Sequence, residues 1–168
     1  RLGAVQLWQS WARMEQRRRR FHTAHELYKR ATGFFPDDTQ LLIEWGKLCS
    51  EVKDTDTARA IFERVLRMPS PPTYAYYCAA ACEQRGGHVA KARELYERGV
   101  GRALPRVRSR DEAQRPLVQL LHAWAVFEWK QREHGRARAL FKRAEEHAAH
   151  SPCGWLFQWR GRVGGEWG

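Results

Sequence analysis

The sequence has few cysteines, no long apolar run and no alternating hydrophobic pattern, and each of these absences excludes a class of protein. Four cysteines in 168 residues are too few for a disulfide-stapled domain and suit a reducing compartment. Apolar runs extend over only a few residues, so the sequence predicts no transmembrane helix. Because no stretch alternates apolar and polar residues, it also predicts no β-sheet. We therefore expect an all-α protein that does not enter a membrane.

Composition is that of an ordinary folded protein with a basic excess. Hydrophobic residues make up 43% and charged residues 29% of the chain, which argues against wholesale disorder. The 168 residues suit a single domain, 1–168, or one stretch of a longer array. The sequence starts at Arg1 without a methionine, which favours a fragment of a longer array. The net charge of +11 is compatible with a negatively charged partner.

A repeat of 34 residues runs through the sequence. The segment AHELYKRA at Ala24 recurs in related form at Ala58, Ala92 and Ala137, in steps of 34, 34 and 45 residues. An earlier set of positions has the same spacing: Trp11, Trp45, Ala79 and Trp124. The predicted repeats are residues 5–36, 39–70, 73–104 and 118–150, with a basic insertion at about 101–115, a partial repeat at 151–160 and a Gly-rich tail at 161–168.

Each repeat contains two apolar stripes with helical spacing, so each repeat is predicted to be a helical hairpin. Small residues recur on the first helices, at Ala12, Gly46, Ala80 and Ala125, where they would let helices approach closely. Because one hairpin cannot bury its own apolar face, successive hairpins must stack. The predicted fold is an all-α, right-handed α-α superhelix of about four hairpins plus a partial fifth.

The period and its residues resemble the tetratricopeptide (TPR) class and, more narrowly, the half-a-TPR (HAT) repeat. HAT repeats have two aromatic residues and then an acid on the first helix, as Trp8, Trp11 and Glu15 do here. The second helix carries Ala-Arg-x-Leu-Tyr/Phe-x-Arg-Ala, with departures. The first repeat has His25 in place of the arginine, and the second has Cys49 in place of the acid.

The HAT resemblance implies a function in RNA metabolism. The sequence is most similar to chloroplast HAT-repeat proteins of the psbB RNA maturation factor type, which shield RNA ends from exonucleases. The resemblance therefore implies a non-catalytic protein that binds single-stranded RNA in RNA processing or transcript end protection. It implies the chloroplast as the compartment, with the nucleus as the alternative. The rival interpretation is a protein–protein interaction scaffold within an RNA-processing complex.

The first helices are expected to line the concave side of the array, where their outward positions would form the RNA site. Those positions supply cations, rings and amides, the mixture that tracks phosphates, stacks on bases and reads base edges. The predicted RNA-binding residues are Arg13, Arg17, Lys47, Tyr74, Tyr77, Arg85, His122 and Lys130. Amides at Gln6, Gln9, Gln40 and Gln119 would lie beside them.

Several alternatives stay open at this point. The cations could form a solvated face, and Tyr74 and Tyr77 could pack on the next repeat instead of facing solvent. The run Arg17–Arg20 lies in the turn between the first two predicted helices, where a plain solvated turn is the simpler interpretation. The basic insertion could hold a phosphate backbone or be a mobile loop.

No motif points to catalysis or to a bound cofactor. Cys78 and Cys82 lie one helical turn apart near His88, but no second ligand pair with zinc spacing accompanies them, so buried apolar roles are favoured. No Gly-rich phosphate loop and no nucleophile turn is present. Glu15, Glu83 and Glu128 recur at the same position in three of the four predicted repeats, which indicates ties between helices and not acid catalysis. We expect no enzyme activity, no metal, no cofactor and no small-molecule substrate.

Overall fold

A computed structural model of the chain describes residues 2–107 and 114–148. These residues form helices and their connecting turns, and no strand occurs among them. Eight helices follow one another: α1 Leu2–Arg17, α2 Phe21–Phe34, α3 Thr39–Glu51, α4 Thr55–Leu66, α5 Thr73–Arg85, α6 Val89–Val107, α7 Gln114–Lys130 and α8 His134–Ala148. They pair in chain order into four helical hairpins. The all-α fold with about four hairpins is therefore confirmed.

Two predicted segments lie outside the described residues: the partial fifth repeat at 151–160 and the Gly-rich tail at 161–168. The chain divides into two compact units, Arg1–Leu95 and Tyr96–Gly168, and the border falls within α6. In the first unit α1 packs against α2, α3 against α4, and α4 against α5. The hairpins are also joined through their first helices, because α3 contacts both α1 and α5.

Aspartate side chains cap the starts of α3 and α4. Asp38 accepts a hydrogen bond from the backbone N–H of Leu41 at 2.8 Å and so caps α3. Asp54 caps α4 in the same way, accepting from the Thr57 N–H at 3.2 Å. Pro72 precedes α5 in an extended conformation, which suits a residue that cannot donate to a helix.

Each first helix ends in the same left-handed turn. The residues with positive φ are Arg19, Lys53, Gly87 and Arg132, which follow the repeat spacing. In each turn a backbone N–H closes a six-residue loop onto the last turn of the helix, for example from Asp54 to the Cys49 carbonyl at 2.9 Å. Only the third repeat has glycine at the left-handed position. In the other three repeats an arginine or a lysine has this backbone conformation, which is unfavourable for a residue with a side chain.

The small residue on α3 makes close packing within the second hairpin possible. A Cβ atom added to Gly46 would lie 2.8 Å from the Phe62 ring of α4, closer than two carbon atoms can approach. Ala12, Ala80 and Ala125 occupy the equivalent positions and are completely buried. The expectation that small residues on the first helices let the helices approach is therefore confirmed at Gly46.

The second unit contains the end of α6 together with α7 and α8, which pack against each other. The predicted insertion at about 101–115 is largely helical in its described part, because α6 continues to Val107 and α7 begins at Gln114. The extension keeps an apolar stripe, in which Val100 and Ala103 are buried. Pro105 lies in the last turn of α6. Pro116 lies in the first turn of α7, and the backbone N–H groups of a first turn have no partner within the helix in any case.

Candidate functional site

Six of the eight predicted site residues lie in the first unit, on the first helices α1, α3 and α5. Four of them form a continuous row of contacts with one further residue, Glu44. We call these five residues the first-helix row: Arg13, Glu44, Lys47, Tyr74 and Tyr77. The row therefore runs from α1 across α3 to α5.

Glu44 lies at the centre of the row and contacts two of the predicted cations. Its carboxylate oxygens are 3.5 Å from Arg13 Nε and 3.5 Å from Lys47 Nζ. The Glu44 side chain is mostly buried at 14% exposure, whereas those of Arg13 and Lys47 are close to half exposed. Burial acts against the charge of Lys47, but Glu44 and Tyr74 outweigh it and raise the pKa of the ammonium. The row is thus a mixed-charge surface with a small positive excess.

Tyr74 and Tyr77 face solvent on α5. They are 44% and 39% exposed, and their rings stack with centroids 5.7 Å apart. Lys47 Nζ lies 5.8 Å from the Tyr74 ring centroid, within the range of a cation–π contact. Burial of its inner part raises the pKa of Tyr74, and Cys78 beside it acts in the same direction. The pair therefore offers exposed aromatic surface to a ligand.

The other two predicted cations of this unit lie beside the row. Arg85, the last residue of α5, is exposed and donates a hydrogen bond to the Ser50 hydroxyl at 2.6 Å. Arg17, the last residue of α1, is exposed, and the whole run Arg17–Arg20 is exposed at the turn into α2. Arg20 lies 3.7 Å from the buried carboxylate of Glu15. One arginine of the run therefore has a structural partner.

His122 and Lys130 belong to the second unit and differ in their surroundings. Lys130 is exposed at the end of α7. His122 is half-buried, with its ring 6.1 Å from that of Phe141, and burial lowers the pKa of the imidazole. A neutral, half-buried ring packed on Phe141 presents less of its face to a ligand than Tyr74 or Tyr77 does.

Polar contacts of a different kind join successive hairpins of the first unit. Arg59 on α4 donates two hydrogen bonds to the Glu83 carboxylate on α5, at 2.6 and 3.0 Å, and these lower the pKa of Glu83. His88 Nδ1 lies 2.9 Å from the same carboxylate. The expectation that the recurring glutamates tie helices together is thus confirmed at Glu83.

Two departures from the HAT pattern, His25 and Cys49, lie together at the junction one repeat earlier. Cys49 Sγ is 3.8 Å from His25 Nδ1, and the Trp45 indole N–H donates to the same nitrogen at 3.3 Å. Because an indole N–H can only donate, this nitrogen of His25 must be the unprotonated one. Burial raises the pKa of Cys49 to about 12, so the thiol is neutral as well. The junction between the first and second hairpins therefore has a neutral pair, His25 and Cys49, whereas the next junction has the ion pair of Arg59 and Glu83.

Sequence reasoning missed Glu44, the residue on which the charge of the row depends. One signal was available, since Glu44 lies three residues before Lys47 on the same helix, a spacing that brings side chains together. The contact with Arg13 crosses from α1 to α3 and has no signal in the spacing.

Among residues 2–107 and 114–148 no group of three or more histidine, cysteine or acidic side chains could hold a metal ion. None of the helices in those ranges has the length and apolar character needed to cross a membrane.

The comparisons with known proteins concern the fold. No protein-family model matches the sequence, and no curated protein is significantly similar to it. Solved structures of MamA, a TPR-like helical repeat protein, are similar in fold. The structure described as MamA MSR-1 C2 has a TM-score of 0.59 at 15% identity, over 86% of this chain and 77% of its own. The fold is TPR-like.

Two further MamA structures give the same result. One of MamA protein has a TM-score of 0.52 at 12% identity, over 86% of this chain and 92% of its own. MamA 41-end from Desulfovibrio magneticus RS-1 has a TM-score of 0.52 at 15% identity, over 89% of this chain and 97% of its own. At identities this low the similarity shows only the TPR-like fold, so the ligand and the partners must be argued from the residues of this chain.

Proposed function

We propose that the chain is a non-catalytic, TPR-like scaffold that binds a peptide segment of a partner protein along the first-helix row. The observation that carries this proposal is the position of Glu44 between Arg13 and Lys47. A polyanion gains most from cations without an acidic neighbour, whereas a peptide can pair with charges of both signs. The mixed row therefore suits a peptide better than a nucleic acid.

The chemistry of the row indicates which peptide would fit. Lys47 lies beside the exposed Tyr74 ring, which stacks on Tyr77, so a peptide with an acidic side chain next to an apolar or aromatic one would match these residues. The similarity in fold to a TPR-like protein agrees with a scaffold. The setting we propose is an RNA-processing complex, which the HAT resemblance implies, in the chloroplast or, as the alternative, in the nucleus.

A peptide library displayed on phage and selected against the 168-residue chain tests the proposal. We expect enrichment of sequences that combine an acidic and an aromatic residue. Binding of a selected peptide, measured by calorimetry, should weaken at least tenfold in Tyr74→Ala and in Lys47→Ala. Lys29→Ala removes an exposed cation on a second helix and serves as the matched control, with affinity within twofold of wild type. Selected peptides that bind all three variants equally would place the site elsewhere.

Single-stranded RNA is the second candidate, and the stacked pair Tyr74 and Tyr77 beside Lys47 is what favours it. Exposed rings next to a cation are the elements on which bases stack and phosphates rest. Filter binding of a mixed-sequence 20-nucleotide RNA across a salt series separates the candidates, because each phosphate contact contributes about −0.7 to the log–log slope. Under the RNA interpretation, Glu44→Gln would free both cations and raise the affinity for RNA. Under the peptide interpretation RNA binding stays weak in that variant too.

A further inference from the structure

Exposed arginines at the end of α1 extend the first-helix row beyond Arg13. Arg17 lies four residues after Arg13, one helical turn further on the same face of α1. Arg18 and Arg19 follow it in the turn into α2, and all three are exposed. We call Arg17, Arg18 and Arg19 the arginine cluster. The row and the cluster are therefore adjacent, with aromatic rings at the α5 end of this surface and cations at its α1 end.

The arginine cluster has no acidic partner among the described residues. Arg20, the last arginine of the run, lies beside the Glu15 carboxylate, but no ion pair within residues 2–107 and 114–148 includes a member of the cluster. Glu51 has the register position of Arg17 on α3, and its carboxylate accepts a hydrogen bond from the Gln16 amide at 2.8 Å. Three guanidinium groups are therefore available to carboxylates of a ligand.

The exposure of the cluster is a property of this type of turn. The equivalent turns after α3 and α5 are exposed as well, at residues 51–53 and 85–88. Hairpins of a repeat array pack on their neighbours through their helices, so the turn within each hairpin stays at the edge of the array. The cluster is therefore open to a ligand whatever else α1 contacts.

The aromatic end of the surface and the arginine cluster are too far apart for adjacent residues of one peptide to reach both. Two steps between contacting first helices separate α1 from α5, which is about 16–20 Å. Tyr74 has the register position of Gln6, eleven residues before Arg17, so the two ends are also offset by roughly 16 Å along the helices. Together these give about 25 Å, which an extended chain covers in about seven or eight residues.

Negative charge in the middle of the surface limits what can lie along it. Glu44 lies between Arg13 and Lys47, and Glu51, bonded to Gln16, is exposed next to the cluster. A nucleic acid has a phosphate at every nucleotide and would bring some of them against these carboxylates. A peptide can place neutral residues there and keep its acids for the two ends. The charge pattern therefore favours a peptide with separated acidic elements.

We propose that the partner segment is bipartite: one element, an aromatic residue next to an acid, binds at Tyr74, Tyr77 and Lys47, and a run of Asp or Glu about seven or eight residues away binds the arginine cluster. This second contact rests on the function proposed above, which supplies the first, and adds the length between them. Linking two contacts raises the affinity because the second forms at the effective concentration that the linker sets. Segments that have one element, or both at another spacing, are thereby discriminated against.

Three synthetic peptides, titrated against the isotopically labelled 168-residue chain and followed by NMR, test the proposal. All contain Glu-Trp. In the long acidic peptide, eight Gly and Ser residues connect it to three glutamates; in the neutral peptide these three are glutamines; in the short acidic peptide the three glutamates adjoin Glu-Trp directly. We expect the long acidic peptide to bind at least tenfold more tightly than either of the others at 50 mM NaCl. This gain should shrink at 300 mM NaCl because the charges are exposed. The set is also made with its elements in reverse order, and the gain in either order supports the proposal.

Variants of the chain locate the second contact. Arg17→Gln/Arg18→Gln should reduce the affinity for the long acidic peptide to that for the neutral peptide, and it should leave the neutral and short acidic peptides within twofold of wild type. Lys29→Gln/Arg30→Gln removes the same charge from exposed positions on α2 and should leave all three peptides within twofold. Circular dichroism checks that both double variants remain helical.

The results separate the second contact from the proposed function. If Tyr74→Ala abolishes binding of the neutral peptide but the long acidic peptide gains nothing over it, the second contact is wrong and the proposed function stands. If no peptide binds, both are wrong. Equal losses in the two double variants would show a non-specific effect of charge and would overturn the second contact. So would a mixed-sequence 20-nucleotide RNA that binds more tightly than the long acidic peptide and loses affinity only in Arg17→Gln/Arg18→Gln, because the cluster would then bind nucleic acid.

Discussion

The neutral junction between the first two hairpins should be convertible into the ionic junction found one repeat later. His25 and Cys49 occupy the repeat positions of Arg59 and Glu83, and they are in contact as those two residues are. We expect Cys49→Glu and His25→Arg each to destabilise the chain, because each introduces a charge opposite a neutral partner. The double variant should recover most of the loss, since the two new groups can pair as Arg59 and Glu83 do.

The structure sets the size of each effect. Cys49 is completely buried, so a carboxylate there costs about 2–3 kcal/mol even if His25 takes up a proton to meet it. His25→Arg removes the acceptor of the Trp45 indole N–H and places a guanidinium beside a thiol, at a cost of about 1–2 kcal/mol. The coupling between the two substitutions should therefore be about 2–4 kcal/mol in favour of the pair.

Urea unfolding followed by circular dichroism at pH 7 measures this coupling as a double-mutant cycle. His22→Arg combined with Cys49→Glu is the matched control, because His22 is exposed on α2 and should show little coupling. If the effects of Cys49→Glu and His25→Arg add to within about 0.5 kcal/mol, the two positions are not partners and the interpretation of the junction is wrong.

Three further outcomes follow from the described contacts. Because the fold lowers the pKa of Glu83, its carboxylate stabilises the fold above the unfolded pKa and loses this contribution as pH falls through the folded pKa. In urea titrations, Glu83→Gln should therefore lower the free energy of unfolding by about 2 kcal/mol at pH 7 and by much less at pH 3. Gly46→Ala should lower the free energy of unfolding by about 1–2 kcal/mol because the added methyl group meets a buried ring. Gly33→Ala, which has open space around it, should raise the free energy of unfolding by about 0.5 kcal/mol. Thermal melts in which both variants shift in the same direction would contradict this. Lys53→Gly should stabilise the chain by about 0.5–1 kcal/mol, since φ is +66° there, and an unchanged melting temperature would show that the turn carries no strain.

Most of the fold could be predicted because the repeat fixes both the helices and the turns between them. The close approach at Gly46 and the tie at Glu83 both follow from residue types at repeated positions. The insertion was the exception. A mobile loop was one of its two interpretations, yet α6 continues to Val107, and the buried side chains of Val100 and Ala103 continue its apolar stripe.

The candidate site could be predicted only in part, because its character depends on contacts between helices. Register placed Arg13, Lys47 and Tyr74 on first helices, but it could not show that Glu44 lies between the two cations. Nor could the sequence show that His25 and Cys49, which replace the arginine and the acid of the repeat pattern, are neighbours. Helical spacing relates residues within one helix, whereas these contacts depend on how α1 and α2 meet α3.

The three cysteines on α3 and α5 have a consequence for how the chain reacts with its surroundings. All are buried, and burial raises the pKa of Cys49 to about 12 and of Cys78 to about 11, with Cys82 shifted the same way. The thiolate is the form that reacts with peroxides and alkylating agents, and the raised pKa values leave almost none of it at neutral pH. A folded molecule should therefore keep these thiols intact under an oxidant pulse, whereas a molecule whose first hairpins have parted would be permanently marked. Chemical damage at these positions would record past unfolding.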